Sequence, residues 1–202
     1  MARSKPKSQK QQAPTLTKIR RAMKDNDYVW FTRQYSVNIV GVRSKDLQAN
    51  TFNDWMTVSW LDDAGMWFFR RWHITTDPGV YWRENPMNSA GTGILKASQY
   101  RGMWKLGLFR GAYEALVQAG NCTLWRDDSR DSTLELYGEE QTGRFGICAH
   151  RASINGSTKV GRWSAGCQVF ADPNDFAEFL AIVKHSIARH GNTVSYTLLE
   201  EE

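Results

Sequence analysis

This chain has few of the residues that staple or anchor a protein from outside. Its three cysteines, Cys122, Cys148 and Cys167, are an odd number without CxxC spacing. That argues against a disulfide framework and a structural zinc site, and it leaves at least one thiol free. The four histidines fall in no HExxH pattern, so no metal is expected. No run approaches the roughly 20 apolar residues of a membrane span, and the opening MARSKPKSQK lacks the apolar centre of a secretory signal. Cytoplasmic synthesis without a signal peptide is therefore expected. Five prolines and 16 glycines in 202 residues exclude a collagenous or low-complexity chain.

Acid is missing from one end. Met1 to Lys24 carries eight Lys and Arg and no Asp or Glu, which leaves 18 cations against 21 acids in the remainder. Such a basic end makes weak, nonspecific contact with anionic surfaces. The mildly acidic body argues against specific nucleic-acid recognition. Residues 1–14, rich in Lys, Gln and Ser, read as a disordered basic tail, and 15–202 as a single catalytic domain, long enough to bury a core unaided.

The spacing predicts a short helix after the tail, capped by Thr15 or Thr17, with Leu16, Ile19 and Met23 on one stripe and Asp25-Asn26-Asp27 at its end. β-branched and aromatic runs follow at Tyr28–Phe31, Ser36–Val42, Trp55–Trp60 and Met66–Thr75, each bounded by turn residues, and they predict short antiparallel strands. Further strands are expected around Met103–Phe109 and Asn121–Arg126, with one or two helical turns over Ala112–Gln118 between them. Asp172 as N-cap, Pro173 at the first position, a Phe176, Phe179, Leu180, Val183, Ile187 stripe and Gly191 at the end predict one substantial helix over 173–190. Thr193–Leu199 reads as a closing strand. The fold class expected is mixed β with few helices.

Chemistry concentrates in 146–170. Gly146-Ile-Cys-Ala-His150-Arg151 is followed by a polar loop and then Trp163-Ser-Ala-Gly-Cys167-Gln-Val-Phe170. A thiol attacks as thiolate and needs a base or cation beside it, which histidine commonly provides. His150 and Cys167 each sit where apolar β-like sequence meets the loop, so two strand ends can bring them together. Ser164-Ala165-Gly166 permits a tight approach in which backbone N–H groups at Gly166 and Cys167 form an oxyanion hole, where one such donor lowers a barrier by about 3 kcal/mol.

A strand histidine, a spacer and then Ser-x-Gly-Cys before an apolar strand resembles the signature of L,D-transpeptidases of the YkuD type. The resemblance implies a transpeptidase-like β-sandwich or barrel. Cys167 would be the nucleophile, His150 its base, and the Arg151 backbone carbonyl would orient the imidazole. Ser164 and Gly166 match motif positions. The substrates implied are peptidoglycan stem peptides, acylated as a thioester without cofactor. Ala165 stands in place of the motif histidine, and Gln168-Val169 departs from the usual continuation, which makes hydrolysis as plausible as cross-linking. The chain, with TTDPG at Thr75–Gly79, ALVQAG at Ala115–Gly120 and SAGCQV, is also similar to phage and prophage proteins of unassigned role, which implies a lysis protein acting at the wall after release. A noncatalytic wall-binding or virion structural protein keeping the same fold is the alternative.

Other residues admit two readings. Cys148 and Cys122 fit core packing. His73 fits a core or edge position, and His185 and His190 suit the end of the last helix. Of nine tryptophans, Trp30, Trp55, Trp60, Trp67 and Trp72 fit sheet faces, whereas Trp163 is expected at a cleft wall. Arg151 and Arg162 could meet stem-peptide carboxylates, or simply be solvated.

Overall fold

The aromatic and β-branched runs close into an eight-stranded barrel. The computed structural model describes residues 12–201. In chain order its elements are α1 (Leu16–Asp25), β1 (Asn38–Arg43), β2 (Asp54–Leu61), β3 (Trp67–Thr75), α2 (Val80–Glu84), β4 (Thr92–Leu95), β5 (Ser98–Phe109), β6 (Tyr113–Gln118), β7 (Cys122–Asp127), β8 (Glu140–Gly143), β9 (Ala149–Arg151), β10 (Gln168–Phe170), α3 (Pro173–His190) and β11 (Val194–Glu200). The barrel runs β1-β11-β5-β6-β9-β10-β3-β2, and β4-β7-β8 form a small second sheet. Closure leaves the barrel strands without a free edge.

The expectation of mixed β with few helices and a substantial C-terminal helix holds. The strands of 28–77 pair antiparallel as expected, β1 with β2 and β2 with β3. Two parallel pairings join them in the barrel, β1 with β11 and β9 with β10. The second of these pairings places the site.

Both long helices follow their local signals. Thr15 accepts from the Lys18 amide at the start of α1, and Asp172 accepts from the Asn174 amide at the start of α3. Phe176, Phe179, Leu180 and Val183 of α3 join Trp72, Ile74 and Phe170 in the main core, while Ile19 and Met23 of α1 form a second cluster with Val40, Val42 and Leu199. Of the expected basic tail, residues 1–11 lie outside the described residues. Pro14, the last residue of that span, is buried and its carbonyl accepts from Arg71 Nη1 at 2.7 Å.

Two local expectations are overturned. Ala112–Gln118 is not helical but supplies β6, antiparallel to β5 with Leu106 opposite Leu116. The cue lies in the connecting loop, where Arg110 (φ 50°) and Gly111 (φ 72°) adopt the left-handed backbone of a tight hairpin. Pairing with β5 and β9 outweighs the weak helical preference of Glu, Ala and Leu. Tyr28–Phe31 joins no ladder. Two side-chain amides satisfy its backbone instead: Gln99 bonds both Val29 N and O at 2.9 Å, and Asn38 bonds Phe31 N at 2.8 Å and O at 2.9 Å. Among the described residues no helix is long and apolar enough to cross a membrane.

Candidate active site

β9 and β10 run side by side with Ala149 opposite Gln168 and His150 opposite Val169. One step earlier the register brings Cys148 beside Cys167, and the Gln168 amide donates to the Cys148 carbonyl at 2.9 Å. Alternate side chains of a strand share a face, so Cys148 and His150 point the same way. Cys148, His150 and Cys167 all line one cavity of about 290 Å³.

The imidazole is held in one tautomer. His150 Nδ1 donates to the Arg151 carbonyl at 2.8 Å, and that carbonyl also accepts from Tyr113 Oη at 3.2 Å. The ring stacks on Phe109 with centroids 3.9 Å apart. Nε2 therefore carries the lone pair, and among the described residues it has no hydrogen-bond partner, neither sulfur included. Burial pushes the His150 pKa down to about 4, so the ring is neutral near pH 7 and is a base rather than a cation. Contacts between a base and its nucleophile often tighten only when substrate binds.

The two thiols share surroundings. Cys148 N–H donates to Cys167 Sγ at 3.4 Å, and both sulfurs lie against the Gly146 carbonyl, Cys148 Sγ at 3.2 Å and Cys167 Sγ at 3.5 Å. A hydrogen bond from the Cys167 thiol brings the Cys148 pKa down to about 7, against the opposing effect of burial. The same bond, with burial, pushes the Cys167 thiol up, and the Arg110 guanidinium favours ionisation of both. Such a pair titrates as a unit, losing its first proton below the ordinary thiol range and holding its second above it. Iodoacetamide should accordingly alkylate one thiol per chain with a midpoint near pH 7. Cys148→Ala should move that midpoint to the ordinary free-thiol value of about 8.5 or higher. Mass spectrometry of quenched time points measures both, and an unchanged midpoint in the variant would exclude proton sharing. Cys122 is an internal control, because burial pushes its pKa up to about 12.

The turn before Cys167 is braced, not open. Ser164 is fully buried; its hydroxyl donates to the Cys167 carbonyl at 2.8 Å and accepts from the Gly166 amide at 3.1 Å. Two expectations change. Ser164 is a brace outside the cavity wall and not a substrate contact, and the Gly166 amide is already engaged. The Cys167 amide, with no acceptor paired to it among the described residues, is the donor left for an oxyanion. Gly166 has φ 117°, and a Cβ there would lie 2.6 Å from the Gly93 carbonyl, so only glycine allows this approach to β4. Gln168 is fully buried and ties the turn to the barrel: Nε2 lies 3.4 Å from both the Gly166 and Thr76 carbonyls, and Oε1 accepts from Tyr196 Oη at 2.6 Å.

Trp163, 44 % exposed, lines the cavity, and Arg162 lines it too, its guanidinium 3.8 Å from the Tyr81 ring centroid. Arg151 instead stacks on Tyr113 at 4.2 Å and does not line the cavity. Sequence reasoning missed Arg110, Phe109, Trp82 and Met87 in the wall, and it assigned Cys148 to packing when that side chain faces the same space. The Gly111 hairpin signal could have brought in Phe109 and Arg110; α2, which carries Trp82, has no comparable cue. A second cavity of about 210 Å³ continues over Gly93, Leu124 and Arg126, sharing Ala165, Phe145 and Trp82 with the first. The small Ala165 borders both. Among the described residues no acid lines either cavity, whereas Arg110, Arg162 and Arg126 do, so the combined groove suits an anionic ligand.

No protein-family model matches this chain, and no curated protein or solved structure matches it.

Proposed function

We propose that the chain is a cysteine-dependent enzyme with an L,D-transpeptidase-like barrel that acts on peptidoglycan stem peptides, as a peptidase rather than a cross-linker. The observation carrying this reading is a neutral imidazole with an unpaired Nε2 in the same acid-free, arginine-bordered cavity as Cys167. His150 Nε2 takes the Cys167 proton as the sulfur attacks an amide carbonyl, and the Cys167 amide donates to the developing oxyanion. The imidazolium then returns the proton to the leaving amine, which departs as the thioester forms. Water, deprotonated by Nε2, attacks the thioester and releases acid and thiol. Arg110 and Arg162 pair with stem-peptide carboxylates, and Trp163 covers the peptide. Without a histidine at position 165, nothing at that place holds an amine acceptor, which favours water. Phage-encoded lysis is the setting proposed for this wall cleavage.

Incubation of purified sacculi with the protein, followed by mass spectrometry of the soluble peptides, tests the reading. Stem fragments that have gained one water are expected. Fragments joined to a second stem would show cross-linking instead. Sacculi that sediment with the protein and release nothing would favour a noncatalytic wall-binding or virion structural role, a reading motivated by the missing Nε2–sulfur hydrogen bond.

A further inference from the structure

We infer that Cys148 and Cys167 form a reversible redox site, in which a hydroperoxide oxidises Cys167 and Cys148 closes the product to a disulfide. The geometry is that of a pair poised to bond. The residues sit opposite one another one step before the first β9–β10 partners, Ala149 and Gln168. Neighbouring strands lie about 4.8 Å apart, within the Cα separations a disulfide spans, about 4.4–6.8 Å. Both sulfurs lie against one carbonyl, that of Gly146, and the Cys148 amide points at the Cys167 sulfur. Cys167 is half-buried and borders a cavity that admits a small peroxide, while Cys148 is only 7 % exposed behind it. A surface-reached thiol beside a protected one is the arrangement of an attacking and a resolving cysteine.

The steps balance without any further reactant. The Cys167 sulfur attacks one peroxide oxygen as its proton passes to the Cys148 thiolate, the O–O bond breaks, and a sulfenic acid and one hydroxide or alkoxide result. The Cys148 sulfur then attacks Cys167 Sγ, and the S–O bond breaks as the S–S bond forms. The second oxygen leaves as hydroxide, and the two thiol protons neutralise the two anions. Two electrons pass from the thiol pair to the peroxide, and a small dithiol reverses the change by exchange. While oxidised, position 167 cannot act as a nucleophile, and it is spared conversion to the irreversible sulfinic acid.

This inference does not depend on the wall reading, and its readout needs no wall substrate. The reduced full-length protein is treated with hydrogen peroxide, unfolded, alkylated and digested. A Cys148–Cys167 linkage is expected, with Cys122 alone alkylated, little dimedone adduct, and all three thiols recovered after dithiothreitol. In Cys148→Ser, dimedone labelling of Cys167 should rise at least about tenfold, with sulfinic acid following. A wild-type protein that keeps Cys148 alkylatable while Cys167 is sulfenylated or sulfinylated, that pairs either residue with Cys122 or with a second chain, or that does not react, overturns the inference. The wild-type mapping decides the matter even if the variant folds poorly.

Discussion

Cys167→Ala should abolish the proposed release of stem peptides from sacculi, by on the order of 10³-fold or more, while Cys148→Ala should retain activity within about tenfold near pH 8.5. Alanine at 167 would remove the atom proposed to form the thioester, and among the described residues no other thiol lines the cavity except Cys148. Cys148 lies behind the sulfur it would replace, with its amide pointing at Cys167 rather than at the open cavity. His150→Ala should approach the same loss, because the leaving amine then departs without a proton. The double variant Cys167→Ala, His150→Ala should be no worse than either, since the two act as one device. In the wild type His150 is already neutral above about pH 4, so the acid limb of kcat/KM should follow the thiol pair and rise through about pH 7. The limb should move upward in Cys148→Ala. Equal activity in Cys167→Ala and the wild type removes the mechanism, whatever the pH profile.

What the sequence discloses divides along the range of the interaction concerned. α3 was legible to its ends because Asp172, Pro173 and Gly191 act on backbone groups within a turn of themselves. α1 was legible for the same reason. β6 was not, since its extended state depends on β5 and β9 closing the barrel around it. Tyr28–Phe31 has strand-like residues but meets Gln99 and Asn38 where a partner strand would be, a circumstance no local pattern encodes. The site divides in the same way. Cys167, His150 and Trp163 declare themselves through spacing along one stretch of chain. Cys148 was hidden in plain view, because only the parallel register of β9 and β10 turns a packing cysteine into a neighbour of Cys167. Arg110 and Phe109 arrive from the β5–β6 hairpin, and Ser164 and Gly166 hold the turn from within, roles that depend on which hydrogen bonds remain unspent.

The second large effect belongs to a residue with no part in the chemistry. Arg83→Met should destabilise the fold by about 3–5 kcal/mol and lower Tm by about 10 °C. The Arg83 and Asp127 side chains are 1 % and 0 % exposed, and the guanidinium is spent entirely inside the protein. It pairs with the Asp127 carboxylate through Nη1, donates to the Asp131 carbonyl at 2.7 Å and Ser129 Oγ at 3.0 Å, and reaches the Thr133 carbonyl. α2 is only five residues long and has no side-chain cap, so this guanidinium is its chief anchor to the chain beyond β7. Methionine fills much of the same volume but strands a buried carboxylate and two carbonyls, and that desolvation sets the size of the loss. Burial would raise the Asp127 pKa, yet the Arg83 hydrogen bond, the Glu135 amide and Ser129 together bring it below the ordinary carboxylate value. A depressed carboxylate contributes stability that is present above its unfolded pKa of about 3.9 and is lost as pH falls through the lower native value. In Arg83→Met only the Glu135 amide and Ser129 still oppose the burial effect, so the carboxyl takes a proton more readily, and the deficit relative to wild type should be greatest at neutral pH and shrink in acid. Urea unfolding at pH 7 and near pH 4 separates these cases, and Arg83→Met paired with Asp127→Leu should recover a large part of the loss. Because α2 carries Trp82 into the cavity wall, the single variant should also weaken peptide release below its Tm. A variant within about 1 kcal/mol of wild type at pH 7 would mean that the carboxylate finds water or another cation once the arginine is gone, and that α2 is held by its packing alone.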